Sequence, residues 1–152
     1  EGTAREFDAS TRAVCAALDI ELVELPDWNC CGATSAHATN QRLSVALPAR
    51  NLTLAEQAGS DLVIPCAACF NRLKAVEIEL LSGDWRGPFD KFSGNITVYD
   101  LLHFLGMPEM VERMTQRQRR PLTGLKVACY YGCLLTRPPA DEMVAKYFGD
   151  DT

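Results

Sequence analysis

The sequence predicts an α/β fold, a mainly parallel sheet with flanking helices. Three observations predict it. Short β-rich runs alternate along the chain with stretches of helical spacing. The runs end at turn formers or directly at cysteines, as strand tips that carry chemistry do. The length of 152 residues, with 47% hydrophobic and 23% charged, is enough for a packed core.

The elements follow in order. From Thr3 to Leu18, Phe7, Val14, Cys15 and Leu18 recur at helical spacing with charges opposite, so an amphipathic helix is expected with Cys15 facing the core. Ile20 to Pro26 reads as a short strand closed by proline, and Asp27-Trp28-Asn29-Cys30-Cys31-Gly32 as the turn after it. Asn40 to Ala58 is helical again, with Pro48 expected to kink or split it because proline cannot donate to the ladder. Asp61 to Pro65 is a buried strand running into Cys66, and Phe70 to Leu81 returns to helical spacing. Cys66 and Cys69 then lie at a strand-to-helix junction, where backbone N–H groups and the helix dipole favour thiolate.

Beyond a glycine-rich excursion over Ser82 to Gly94, Ile96 to Tyr99 is expected as a strand. Asp100 to Leu105 is a short helix capped by Gly106, Pro108 to Gln118 a further helix, Leu125 to Tyr131 a last strand and Ala140 to Phe148 a last helix. Arg113, Arg117, Arg119 and Arg120 form a basic run, read first as a solvated helix end and otherwise as a docking patch for an anionic partner.

Composition sets the function classes. A formal charge of −5 argues against nucleic acid as a partner. The sequence shows neither a long apolar run nor a signal-peptide pattern, so a cytoplasmic protein without a membrane span is expected. Seven cysteines, at 15, 30, 31, 66, 69, 129 and 133, are an odd count that does not suit a disulfide scaffold. Their clustering points to metal or redox chemistry. A thioredoxin-like dithiol at Cys66/Cys69 is less favoured because the Cys30-Cys31 pair accompanies it. Adjacent cysteines fit one tetrahedral zinc poorly, and suit different iron atoms of a polynuclear cluster better.

Asn29-Cys30-Cys31-Gly32-Ala33, then some thirty-odd residues further on Pro65-Cys66-Ala67-Ala68-Cys69-Phe70-Asn71-Arg72, and finally Tyr130-Tyr131-Gly132-Cys133, resemble the cysteine-rich CCG family. Within it the chain looks most like the B-type subunits of heterodisulfide reductases, where two such repeats share one polypeptide. The resemblance implies residues 1–124 as a first repeat lacking its leading cysteine and 125–152 as the truncated start of a second. The chain is thus expected to be an internal piece of a longer protein. The resemblance further implies Cys30, Cys31, Cys66 and Cys69 as ligands of one non-cubane four-iron iron–sulfur cluster and Cys133 as a ligand of another. The reaction implied is reductive cleavage of a small-molecule disulfide, in methanogens that of coenzymes M and B, with electrons from subunits of the C and A types. An incomplete or air-exposed site can take up zinc in place of iron. The alternatives are an electron-transfer subunit of a lactate, glycolate or succinate oxidising complex and a zinc-binding structural module.

His37 is a candidate to protonate a departing thiolate or to hydrogen-bond a cluster sulfur. Cys129 is expected to be a buried structural cysteine, His103 a core or interface residue, and Trp28 to pack over the site.

Overall fold

The structure, a computed structural model, describes residues 4–33, 35–130 and 132–136. It divides into two compact units: Glu1–Glu24 with Leu102–Cys129, and Leu25–Leu101 with Tyr130–Thr152.

In the smaller unit, α1 (Arg5–Ala17) buries Cys15 near its C-terminal end, and Leu18 just after it is also buried, while Phe7 and Val14 stay exposed. The apolar stripe on α1 is therefore narrower than its spacing suggested. A second helix, α6 (Pro108–Arg117), starts on proline, whose missing N–H costs nothing in a first turn, and buries Met110. Its arginines serve the end of α1. Arg113 Nη1 donates to the Leu18 carbonyl at 3.3 Å, and Arg117 donates to the Ala17 carbonyl and pairs with Asp19. The last carbonyls of a helix have no partner within it, so two guanidiniums there act as caps. Half of the basic run is thus accounted for by helix capping, and Arg119 and Arg120 are exposed.

The larger unit holds the sheet. Strand β1 (Leu62–Ile64) pairs in parallel with β2 (Val98–Asp100), matching Leu62 to Val98 and Ile64 to Asp100. The crossover between them contains α4 (Ala67–Ser82), as parallel pairing requires. Gly83 closes that helix at φ +77°, a left-handed conformation that glycine adopts without penalty. Phe70, Leu73, Val76 and Leu80 of α4 meet Val45, Ala49, Leu52 and Ala55 of α3 (Gln41–Gln57) in one core with Cys31, Ile64 and Val98. Asn40 caps α3 by accepting the Leu43 N–H at 3.0 Å. Pro48 lies inside α3 without dividing it: its ring is buried on the core face, and that packing outweighs one lost backbone donor. Two short helices, α2 (Ser35–Thr39) and α7 (Cys133–Thr136), pack on α3 and α4 respectively, and α5 (Leu101–Gly106) follows β2 directly.

Among the described residues the parallel sheet has two strands rather than the larger number expected. Residues 20–26 and 125–130 are irregular. Val23, Leu125 and Val127 are exposed there, and a β-rich composition without a neighbouring ladder leaves nothing to define a strand. Residues 140–148, expected as a helix, lie outside the described residues.

Candidate thiol site

The loop bearing the cysteine pair is pinned to α3 through Asn29. Its N–H donates to Asn51 Oδ1 at 3.0 Å and its carbonyl accepts from Asn51 Nδ2 at 2.7 Å. Its side-chain amide donates to the Cys30 and Leu47 carbonyls and accepts from Arg50 Nη1 at 2.9 Å, so all its polar groups are used. Arg50 also grips Asp27, which takes φ +56° at the turn into the loop. Gly32 then turns the chain at φ +72°, and a Cβ there would lie 3.0 Å from Ala36 Cβ and 3.1 Å from Leu47 Cδ1. The Cys-Cys-Gly order is fixed both by that backbone and by close packing.

The second cysteine segment comes from the end of β1. Pro65 stops the strand, Cys66 takes an extended conformation as N-cap of α4, and Cys69 follows in the first turn. Cys31 Sγ and Cys69 Sγ lie 2.9 Å apart. The Cys31 thiol is pulled down to about 6 by the hydrogen bond from the Cys69 thiol, against the opposing effect of burial, with help from the N–H groups of Ala33 and Cys31 and from Cys30. Cys69 is pushed up by the same hydrogen bond, then by burial and by the nearby charge of Cys31, with Cys66 adding to it. The contact thus favours one proton shared between the two sulfurs, with Cys31 the more acidic of the pair. Cys31 is buried and Cys69 half-buried, while Cys30 and Cys66 are exposed. Among the described residues no three Cys, His, Asp or Glu side chains gather as a metal ion's ligands.

Residues 1–74, which contain all four of these cysteines, match the family model of the cysteine-rich domain CCG. Over residues 1–74 the chain is similar to a CCG cysteine-rich domain. Among curated proteins, it is 34% identical over 143 residues to the 8-methylmenaquinol:fumarate reductase membrane anchor subunit of Wolinella succinogenes, covering 90% of this chain and 50% of that one. It is 27% identical over 146 residues to the B-type subunit of the ferredoxin/F420H2-dependent CoB-CoM heterodisulfide reductase of Methanosarcina acetivorans, covering 90% of this chain and 48% of that one. The B-type subunit of the ferredoxin:CoB-CoM heterodisulfide reductase of Methanosarcina mazei is 26% identical over the same length and shares. The chain spans about half the length of these curated relatives. No solved structure matches.

The surroundings of the cysteines correct several expectations. Trp28 is 57% exposed instead of packed over the cysteines, because Asn29 turns the loop's polar groups inward and leaves the indole outside. Cys129 is exposed, since the strand expected to bury it is irregular. His103 is exposed on α5. Cys15 is buried as expected, with its thiol pushed up by burial. Cys133 is exposed at the start of α7, which packs on α4 in the same unit as the other four cysteines. No helix among the described residues is long and apolar enough to cross a membrane.

His37 is exposed on α2, and its Nδ1 lies 2.9 Å from Arg72 Nη1 on α4. Arg72, Asn51 and Arg50 were not singled out by sequence reasoning. For Arg72 a signal existed, because it stands three residues after Cys69 and hence on the same side of the helix.

Proposed function

We propose that this chain is the cluster-holding portion of a heterodisulfide reductase-like iron–sulfur subunit. In this reading Cys30, Cys31, Cys66 and Cys69 are ligands of one four-iron cluster of the non-cubane kind, and Cys133 is a ligand of a second. Residues 1–124 form the first repeat, and 125–152 begin the next. One observation carries it: two sequence-distant cysteine segments meet at the Cys31–Cys69 contact, with thiolate-stabilising N–H groups already in place. The donor set fits an iron–sulfur centre, since its four sulfurs come from an adjacent pair and a Cys-x-x-Cys rather than from one closed tetrahedral turn. When bound, such a cluster supplies single electrons and stabilises thiolate.

The chain's own residues do the rest. Asn29, Asn51 and Arg50 hold the pair loop against α3, and Cys31 of that loop lies beside Cys69 of α4. The hydrogen bond from the Cys69 thiol, helped by the N–H groups of Ala33 and Cys31, holds the Cys31 thiol below its ordinary value. His37 offers a ring N–H as a hydrogen bond to a thiolate leaving at the exposed side, where Cys30 and Cys66 open to solvent. The substrate class is a small-molecule disulfide, the CoB-CoM heterodisulfide type named for two of the relatives, and partner subunits of the C and A types deliver electrons.

The 34% identical fumarate reductase relative supports a second reading, an electron-transfer subunit of a respiratory complex without disulfide chemistry. Anaerobic iron and sulfide quantification with EPR on the full-length protein tests the shared premise. Cys31→Ser is expected to lose iron at the first site with the fold retained, and full iron retention overturns the ligand assignment. Reduction of a disulfide by viologen-reduced protein then separates the two readings.

A further inference from the structure

The thiol site is spanned by a second contact that the four cysteines do not explain. Cys31 and Cys69 join the pair loop to α4, and His37 and Arg72 join the same two segments one step further along each. His37 is itself tied to that loop, because its backbone N–H donates to the Gly32 carbonyl at 2.9 Å.

The direction of every bond in this cluster is forced. Arginine has donors and no acceptor, so at 2.9 Å from Arg72 Nη1 the His37 Nδ1 must present its lone pair. The other guanidinium nitrogen donates to Asn71 Oδ1 at 2.9 Å, which turns the buried Asn71 amide so that Nδ2 donates to the Leu134 carbonyl at 3.3 Å. Leu134 is the residue after Cys133. One guanidinium on α4 therefore sets the hydrogen-bond polarity of a side chain on the Cys30–Cys31 side and of a backbone contact beside Cys133.

We propose that Arg72 is a positioning residue that locks His37 in the Nε2–H tautomer. The one ring proton then sits on Nε2, the nitrogen that Arg72 does not bond, where it serves as a hydrogen-bond donor to a sulfur anion at the site mouth and stays on the ring. This inference rests on the proposed role of His37 and deepens it. A ring free of such a partner exchanges between tautomers, and only one of them offers that donor.

The test is 15N NMR of histidine-labelled full-length protein above pH 8, with His37→Gln to assign the signal. Wild type is expected to show Nδ1 at the shift of an unprotonated ring nitrogen and Nε2 at that of a protonated one. In Arg72→Met the two shifts are expected to move toward each other as the tautomers mix, and Arg72→Lys is expected to restore them in part, one ammonium donor replacing the fork. An Nδ1–H form in wild type overturns the proposal, as do shifts unchanged in Arg72→Met. The wild-type spectrum decides even if Arg72→Met does not fold. Iron content measured on the same samples separates the outcomes: iron loading with mixed tautomers sinks the positioning role alone, and a locked tautomer without iron sinks the cluster reading alone.

Discussion

Cys15 in the smaller unit and Cys31 in the larger one are the same residue type at nearly the same depth, 1% and 6% exposed, yet their thiols move in opposite directions. Burial pushes Cys15 up from 9.0, whereas Cys31 comes down to about 6 because the Cys69 thiol and backbone N–H groups surround it. Depth alone makes a cysteine inert. What makes one chemical is the set of donors aimed at its sulfur.

Site-resolved alkylation of the metal-free chain against pH breaks this comparison most directly. Thiolate is the nucleophile, so the Cys31 rate is expected to level off above its midpoint of about 6, while the Cys15 rate is still rising beyond pH 9.0. Peptide mass spectrometry reads both profiles in one sample. Coincident profiles would mean that the donors around Cys31 do nothing.

A second test removes the frame that aims those donors. Asn51→Leu takes away both hydrogen bonds to the Asn29 backbone and leaves an N–H and a carbonyl unpaired in a half-buried place. The expected loss is about 2–3 kcal/mol of stability. Urea unfolding measures it, and the Cys31 alkylation midpoint should rise in the same variant while that of Cys15 stays put. A midpoint unmoved in Asn51→Leu would detach the frame from the chemistry.

What could be read from the sequence follows the range of the interactions involved. Local signals were sufficient for β1 and α4, because Pro65 ends one and Cys66 caps the other within two positions. The meeting of Cys31 with Cys69 was legible through motif order and family likeness. The frame was not. Asn51 and Arg50 sit in a helical stretch where polar side chains normally mark a solvent face, and their partners lie more than twenty residues away. The two misread strands fail for the complementary reason, since β-rich composition is local whereas a ladder partner is not.

Gly32→Ala sharpens the comparison within the loop itself. A left-handed backbone costs a non-glycine residue about 1–2 kcal/mol, and the new Cβ at 3.0 Å from Ala36 Cβ adds to it. Because Gly32 lies between Cys31 and the donating N–H of Ala33, the loss in stability should come with a rise in the Cys31 midpoint. Thermal unfolding and the alkylation profile together check this. A destabilised variant with an unmoved midpoint would mean that glycine serves the backbone alone.

The smallest expected effect isolates donation from depth. Glu56 is not deeply buried, and its desolvation pushes the carboxyl up, yet the N–H groups of Asn95, Ser93 and Gly94 and the Ser93 hydroxyl hold it below its ordinary 4.5. A group with a depressed folded value stabilises the fold above its unfolded value, and that contribution fades as pH falls through the lower one. The stability gap between wild type and Glu56→Gln should therefore be constant above about pH 5 and narrow as pH drops below 4.5. Chemical unfolding across that range measures the gap. A gap that does not narrow, or a Glu56 carboxyl titrating at or above 4.5 by NMR, would show that N–H donors do not set acid strength in this loop; the smaller share that the Ala33 and Cys31 N–H groups take in lowering Cys31 would then fall with it, and the Cys69 thiol would be left as the cause.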